Sequence, residues 1–161
     1  MSDGPGHLPV LLDSVLELLR PPAGGTVADL TAGRGGHAEA LARAAGHGGR
    51  CVLFDLDAAN LAFASGRVRS VDGVDVRTVH GTFAAVDREV RAAGWRADRV
   101  LADLGFASNQ MDDPSRGFSF QSDGPLDMRL DTSRGETAAD LLARIDRKST
   151  RLNSSHQIIS Y

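Results

Sequence analysis

The chain has 161 residues, of which 42% are hydrophobic and 24% charged, a composition typical of one globular domain and not of a disordered chain. A single cysteine excludes a disulfide framework, and a net charge of −3 gives no basic surface that would indicate nucleic-acid binding by this chain alone. The sequence contains neither a membrane-spanning apolar stretch nor a signal pattern, so we expect a cytoplasmic protein.

Hydrophobic periodicity predicts alternating helices and strands over the first hundred residues. A leading helix is predicted over residues 10–19, where apolar side chains recur at helical spacing until Pro21 and Pro22. Four candidate strands and three intervening helices follow. The strands are residues 26–30, 50–55, 74–80 and 99–103, and the helices are residues 36–45, 58–69 and 83–93. This alternation predicts an α/β fold with a parallel sheet, of which four strands form one half.

The regular pattern ends after the fourth predicted strand. Residues 107–134 are rich in Asp, Ser, Gly and Pro and show no periodicity, which is usual for a functional loop or an inserted module. A further helix is predicted over residues 137–144. We therefore expect a boundary between residues 1–106 and residues 107–145, with a functional loop or the start of an inserted module in the second segment.

The last sixteen residues differ in composition from the rest. Lys, Ile and Tyr are absent from residues 1–144, but all three occur in residues 145–161. Residues 146–156 (DRKSTRLNSSH) match the codon-by-codon translation of a widely used sequencing adapter, and residues 159–161 match its continuation. We interpret residues 146–161 as a non-native tail, with a natural polar tail as the alternative, and expect the natural sequence to continue differently after Ile145.

Acidic residues and a glycine-rich turn follow the predicted strands. Asp29, Asp55 and Asp103 end the first, second and fourth strands, and ligands bind beyond the carboxyl ends of parallel strands. Residues 33–36 (GRGG) follow the first strand, where glycines let the backbone turn sharply and approach a ligand. Asp55 is placed to accept hydrogen bonds from both hydroxyl groups of a ribose, whether in a dinucleotide or in S-adenosylmethionine.

The charge of Asp29 favours S-adenosylmethionine at this turn. A carboxylate beside the glycines would repel a pyrophosphate and attract the amino group and the sulfonium of S-adenosylmethionine. The turn also departs from the dinucleotide pattern, because Ala38 stands where a last glycine is expected. An NAD(P)-type nucleotide-dependent oxidoreductase is the alternative enzyme, and a truncated, non-catalytic fragment is the alternative without an activity.

Six motifs carry a resemblance to one protein family. They are residues 7–12 (HLPVLL), 33–37 (GRGGH), 80–83 (HGTF), 103–105 (DLG), 116–120 (RGFSF) and 123–129 (DGPLDMR). In this order they resemble the bacterial 16S ribosomal RNA cytosine-N4 methyltransferase family, called RsmH or MraW, over residues 6–144. The resemblance implies a Rossmann-like S-adenosylmethionine-dependent methyltransferase domain, truncated here at the start of a helical insertion. The N-terminal half of that domain would be residues 1–106, and residues 107–145 would be a catalytic-side loop and the start of the substrate-recognition insertion. It implies methylation of the exocyclic N4 of a cytidine in the 16S rRNA of the small ribosomal subunit.

The same resemblance implies a set of cofactor-binding residues. They are Gly33, Gly35, Gly36, His37, Asp55, Phe83, Asp103 and Gln110. Within this set the glycines and the histidine form the cofactor loop, Asp55 contacts the ribose, and Phe83 lies on the adenine side. This chain has Asn109 where the family more often has a proline, which loosens the backbone before Gln110.

Methyl transfer to an amine suggests a catalytic role for Asp103. The lone pair of cytosine N4 is delocalised into the ring, and a carboxylate that accepts a hydrogen bond from this amine would localise it for attack. The reaction requires no metal, and positioning would contribute most of the acceleration. Simpler interpretations stay open for other residues: a capping role for His37, core packing for Phe83, and salt bridges rather than phosphate contacts for Arg116 and Arg129.

Overall fold

The chain divides into two compact units, residues 1–105 and residues 106–161. The computed structural model describes residues 9–145 of them. The predicted tail over residues 146–161 and the first two residues of the HLPVLL motif lie outside the described residues. The functional assignment of the three predicted segments stays a prediction.

The first unit is built on a four-stranded parallel sheet, which confirms the predicted α/β fold. Its strands are β1 (Thr26–Asp29), β2 (Arg50–Asp55), β3 (Asp75–His80) and β4 (Arg99–Leu101), in the order β3-β2-β1-β4. Thr26 pairs with Arg50 on one side of β1, and Val27 pairs with Arg99 on the other. The chain runs outward from β1 to β3 and then returns to the other side of β1. The switch point of this Rossmann-like sheet therefore lies between β1 and β4.

Helices cover both faces of the sheet. The first core joins the sheet to α1 (Leu12–Leu19), α2 (Gly36–Ala45) and α3 (Ala58–Arg69), while the second joins it to α4 (Val86–Ala92). Successive residues of β2 point to opposite faces, so Cys51 and Leu53 belong to the first core, and Val52 and Phe54 to the second. All four are fully buried, which explains the uninterrupted apolar run in this strand.

Local side-chain chemistry sets several helix boundaries. Asp57 begins α3, because its carboxylate accepts hydrogen bonds from the backbone N–H groups of Ala59 and Asn60 at 3.0 and 3.3 Å. The helix α1 begins two residues later than predicted, after Leu11, which adopts a left-handed conformation with φ of 54°. It ends at Leu19, just before the two prolines, as expected.

Two predicted elements differ from the structure because of hydroxyl groups. The predicted strand over residues 99–103 stops at Leu101, since the N–H of Asp103 donates to the Thr31 hydroxyl at 2.7 Å instead of to a neighbouring strand. The predicted helix over residues 83–93 is divided into a 3₁₀ turn, Phe83–Ala85, and α4. That turn begins after Thr82, whose hydroxyl accepts a hydrogen bond from the N–H of Ala84.

The second unit contains three short helical elements. They are α5 (Ser108–Met111), a 3₁₀ turn (Pro114–Arg116) and α6 (Ala138–Arg144). The expectation of no regular structure over residues 107–134 was therefore wrong for α5 and for the 3₁₀ turn. In α6, the Thr137 hydroxyl and the Asp140 carboxylate each accept a hydrogen bond from the other residue's N–H, so the helix begins one residue later than predicted. None of the helices within residues 9–145 has the length and apolar character needed to cross a membrane.

Candidate functional site

Three carboxylates mark the carboxyl-end edge of the sheet in the first unit. Asp29 is the last residue of β1 and is buried, and Asp55 is the last residue of β2 and is half-buried. Asp103 follows β4, with 63% of its side chain exposed. Asp55 and Asp103 both act electrostatically on Asp29. The structure thus brings the three predicted acidic residues together beside the switch point of the sheet.

Asp29 is the most perturbed of these groups. Burial raises the pKa of its carboxyl group to about 7, and the negative charges of Asp55 and Asp103 act in the same direction. Hydrogen bonds from the backbone and side chain of Thr31 oppose this rise, the backbone N–H lying 3.0 Å from Asp29 Oδ1. A cation that binds nearby would therefore favour the ionised form of Asp29.

The glycine turn wraps around the end of β2. The N–H of Gly33 donates to Asp55 Oδ2 at 2.7 Å, and the N–H of Asp57 donates to Asp55 Oδ1 at 2.8 Å. Burial raises the pKa of Asp55, although these two donors act against it. Gly33 has a φ of +49°, and a β-carbon there would meet only the Thr31 carbonyl oxygen, 3.9 Å away. This part of the turn therefore has open space beside it.

The other two glycines of the loop are explained by packing. Gly35 has a φ of +77°, and a β-carbon there would lie 2.7 Å from the Cα of Ala64 in α3. A β-carbon on Gly36 would overlap Pro9. These glycines let α2 lie close to its neighbours, whereas Gly33 alone of the three adjoins open space.

His37 lies close to Asp103 at the start of α2. Its Nε2 atom is 3.8 Å from Asp103 Oδ2, which is beyond hydrogen-bond distance. Burial lowers the pKa of His37, and the nearby carboxylate of Asp103 only partly offsets this, so the site favours the neutral ring. Its Nδ1 atom is buried and has no hydrogen-bond partner among the described residues, so no capping bond from this atom supports the simpler interpretation.

The remaining predicted residues have different surroundings. Phe83 is 43% exposed and belongs to neither core, so the interpretation of it as core packing was wrong. His80 is held locally by a 2.9 Å hydrogen bond between its Nε2 and the Leu56 carbonyl oxygen. Gln110 lies in the second unit, where it is buried and its side-chain oxygen accepts a hydrogen bond from the N–H of Ala107. That contact gives Gln110 a local structural role, and its predicted cofactor role stays a prediction.

Two arginines of the second unit, Arg116 and Arg129, make contacts within that unit. Arg129 makes two hydrogen bonds to the carboxylate of Asp127, at 2.9 and 2.7 Å. Arg116 donates to the carbonyl oxygens of Arg129 and Leu130, both at 3.0 Å. The geometry favours the salt-bridge interpretation for Arg129. Arg116 binds two backbone carbonyl groups, and its charge also lowers the pKa of Asp127.

Thr31 is a site residue that the sequence analysis did not identify. Its N–H donates to Asp29, and its hydroxyl accepts from the N–H of Asp103, 72 positions later in the chain. A threonine two residues after a strand-ending aspartate is the available signal, because aspartate side chains accept hydrogen bonds from the backbone two residues ahead. In residues 9–145, no group of three or more His, Cys, Asp or Glu side chains is arranged to hold a metal ion.

Comparison with known proteins assigns the family. The MraW methylase family matches residues 5–152. This chain belongs to that family. Ribosomal RNA small subunit methyltransferase H from Nitrosomonas europaea is 43% identical over 140 residues, covering 86% of this chain and 43% of that protein. The proteins of the same name from Burkholderia pseudomallei and Alteromonas mediterranea are 44% and 45% identical over 139 residues, covering 43% and 44% of their own lengths.

These comparisons confirm the resemblance to the MraW methylase family that the six motifs carry. The three matches cover 86%, 86% and 85% of this chain. The chain spans less than half the length of each of these curated relatives. A crystal structure from Clostridium thermocellum, named as a candidate rRNA-methylase, has a TM-score of 0.48 and 22% identity, covering 60% of this chain and 50% of that chain. The fold described here rests on the observed strand order and not on that likeness.

Proposed function

We propose that this chain is part of an enzyme that transfers a methyl group from S-adenosylmethionine to the exocyclic N4 of a cytidine in 16S rRNA. Family membership supports methylation of ribosomal RNA. The observation that supports the cofactor is the carboxylate of Asp29, which is buried at the end of β1, four residues before Gly33 and the open space beside it. The cytidine N4 and the small ribosomal subunit come from the resemblance to the family.

The residues at this edge of the sheet suit a cationic ligand. Asp29, Asp55 and Asp103 place three carboxyl groups around one end of the sheet, an arrangement that opposes a pyrophosphate and favours a sulfonium. Open space beside Gly33 allows a ligand to approach the backbone. Each carboxylate oxygen of Asp55 accepts one hydrogen bond from a backbone N–H group. The remaining lone pairs of these oxygens can accept hydrogen bonds from ribose hydroxyl groups.

Phe83 and His37 supply further groups for the same ligand. The ring of Phe83 is 43% exposed, as an aromatic contact for an adenine requires. The buried Nδ1 of His37 has no partner among the described residues, and a buried polar atom of this kind is normally satisfied by a ligand or water. Both observations fit a cofactor that fills this side of the first unit.

Asp103 is the group that we assign to the chemical step. S-adenosylmethionine, when bound, supplies a methyl group on a cationic sulfur. The exposed carboxylate of Asp103 accepts a hydrogen bond from cytosine N4 and localises the nitrogen lone pair. The N4 proton would leave along this hydrogen bond to Asp103 as the amine gains the methyl group and the sulfur of the cofactor becomes a neutral thioether. Asp103 would then release the proton to solvent.

The cofactor assignment is tested by calorimetric titration of the 161-residue chain. We expect S-adenosylmethionine and S-adenosylhomocysteine to bind and NADH not to bind. Asp55→Asn should weaken both interactions about tenfold or more, because it removes a charged acceptor. Asp98→Asn is the matched control, since Asp98 accepts a backbone hydrogen bond at the opposite end of the sheet. Binding of NADH without S-adenosylhomocysteine would favour the oxidoreductase instead.

The reaction is tested on the full-length gene product with purified small subunits. Mapping of the modified nucleotide should place one methyl group on N4 of a cytidine. Asp103→Asn should lower kcat by a factor of about 10² to 10⁴. We expect no methylation from the 161-residue chain, so turnover by this chain would refute the view that it is an inactive fragment.

A further inference from the structure

A threonine side chain determines where β4 ends. The last backbone hydrogen bond between β1 and β4 runs from the N–H of Leu30 to the carbonyl oxygen of Leu101, at 2.9 Å. In a parallel ladder, the next bond would run from the N–H of Asp103 back to the Leu30 carbonyl oxygen. The N–H of Asp103 instead donates to the hydroxyl of Thr31 at 2.7 Å. The hydroxyl thus replaces a ladder acceptor and directs Asp103 away from the regular strand.

Thr31 also contacts the buried acid of β1. Its backbone N–H donates to Asp29 Oδ1 at 3.0 Å, and its side chain acts with this N–H to lower the pKa of Asp29. Thr31 therefore joins Asp103, which donates to its hydroxyl, to Asp29, which accepts from its backbone.

We propose that Thr31 is a positioning residue for Asp103, and that its hydroxyl couples the place of Asp103 to the charge of the buried Asp29. This inference rests on the proposed function, which gives Asp103 its role at the cofactor and the amine. The inference adds Thr31, which acts through Asp103 and not by direct contact with the cofactor or the amine. Without the hydroxyl, the N–H of Asp103 loses this acceptor, and its carboxylate is no longer held at the site.

The coupling between Thr31 and Asp29 predicts a change in the pH dependence of cofactor binding, which a purely structural role of Thr31 would not produce. Titratable groups face Asp29 from each neighbouring strand: Asp55 and Cys51 from β2, and Asp103 after β4. His37 of α2 lies beside Asp103. The Thr31 hydrogen bonds lower the pKa of Asp29 against the effect of burial. Loss of the hydroxyl therefore raises this pKa, and the pH above which the cationic cofactor binds best should rise with it.

The test compares three variants of the 161-residue chain. Thr31→Val removes the hydroxyl and keeps the side-chain shape, and Thr31→Ser keeps the hydroxyl. Thr26→Val is the matched control, because Thr26 is buried at the other end of β1. Titration with S-adenosylmethionine between pH 6 and pH 8.5 gives affinity, and amide hydrogen exchange at Asp103 reports the hydrogen bond directly. Thr31→Ala replaces the valine variant if that variant does not fold.

We expect Thr31→Val to weaken cofactor binding about tenfold and to move its pH dependence upward, with faster exchange at the Asp103 amide. Thr31→Ser should restore all three properties, and Thr26→Val should change none of them. Unchanged affinity and Asp103 exchange in Thr31→Val would overturn the inference, even if its melting temperature fell. If the unmodified chain binds neither S-adenosylmethionine nor S-adenosylhomocysteine, the proposed function fails, while exchange at Asp103 still decides whether Thr31 holds this residue.

Discussion

The acids at the edge of the sheet in the first unit and two acids of the second unit have opposite surroundings. In the first unit, burial raises the pKa of Asp29 to about 7, and two further carboxylates add to the effect. In the second unit, hydrogen bonds from Arg129 lower the pKa of Asp127 to about 2. Hydrogen bonds from Ser133 and from Arg134 also lower the pKa of Asp131 to about 2. Three carboxyl groups thus interact beside the sheet of the first unit, whereas Asp127 and Asp131 of the second unit each have an arginine partner.

This difference indicates a ligand-binding role for the acids of the first unit and a structural role for those of the second. A buried acid among other acids is unfavourable until a cation arrives, so the first unit gains from binding a positively charged ligand. A carboxylate that already binds an arginine has less to offer a new ligand and instead fixes a loop. The first unit also owes its stability to two buried cores, whereas the described part of the second relies on hydrogen bonds between nearby residues.

The largest expected effect tests the dependence of the first unit on burial. Phe54 is fully buried in the second core, and Phe54→Ala should lower the free energy of unfolding by about 3–5 kcal/mol, because it leaves a cavity. Urea denaturation measures the change. Leu142 on α6 is 55% exposed, and Leu142→Ala should stay within about 0.5 kcal/mol of the parent. An equal loss in both variants would contradict the contrast between the units.

A second prediction concerns the pH dependence of stability. The folded pKa of Asp29, about 7, lies above its ordinary value of 3.8. Below pH 4 the carboxyl is neutral in both states, and between pH 4 and pH 7 only the unfolded chain releases the proton. The contribution of Asp29 to the free energy of unfolding should therefore fall by on the order of 2–4 kcal/mol as the pH rises over this range. Asp29→Asn should remove that fall in urea titrations at pH 5 and pH 8.

The opposite slope is expected from Asp127 in the second unit. Its folded pKa, about 2, lies below the ordinary value of 3.8, so its stabilising contribution is present above pH 4 and is lost as the pH falls toward 2. Asp127→Asn should flatten this acid limb and leave the change between pH 5 and pH 8 intact. The same slope in both variants would show that the two acids do not differ as described.

A third prediction separates the glycines of the cofactor loop. Gly35→Ala should lower the free energy of unfolding by about 2–3 kcal/mol, because its β-carbon would press on Ala64 in addition to the strain of a positive φ. Gly33→Ala has the strain without the overlap and should cost about 1–2 kcal/mol. Its larger effect should be on S-adenosylmethionine affinity. Equal thermal stability of the two variants would refute this division between packing and binding.

The smallest effect is expected at the start of α6. Thr137→Ala removes the hydroxyl that accepts a hydrogen bond from Asp140, and should cost about 1 kcal/mol in the free energy of unfolding. Thr137→Ser keeps the hydroxyl and should restore the parent value. Thermal denaturation of both variants decides the matter. No difference between alanine and serine would show that this cap does not contribute to the second unit.

Much of the first unit was predictable from the chain alone. The limits of β2, α2 and α3 agree with the predicted residues 50–55, 36–45 and 58–69. Each has a strong apolar pattern with Gly or Asp at its start, so local sequence is sufficient. The end of β4 was not predictable, because it depends on the hydroxyl of Thr31, a residue 72 positions earlier. In the second unit, α6 was predicted to within one residue, but α5 and the 3₁₀ turn Pro114–Arg116 are too short to show a periodicity.

The sequence by itself determined the parallel α/β fold, the acidic ends of its strands and, through its motifs, the family. These properties follow from local patterns that each segment carries independently of the others. Only the tertiary structure decided that Asp29 is buried and titrates near neutrality, that Gly33 adjoins open space while Gly35 meets Ala64, and that Thr31 holds Asp103. Burial, overlap and long-range hydrogen bonds depend on which distant residues meet, and that is fixed when the strands align.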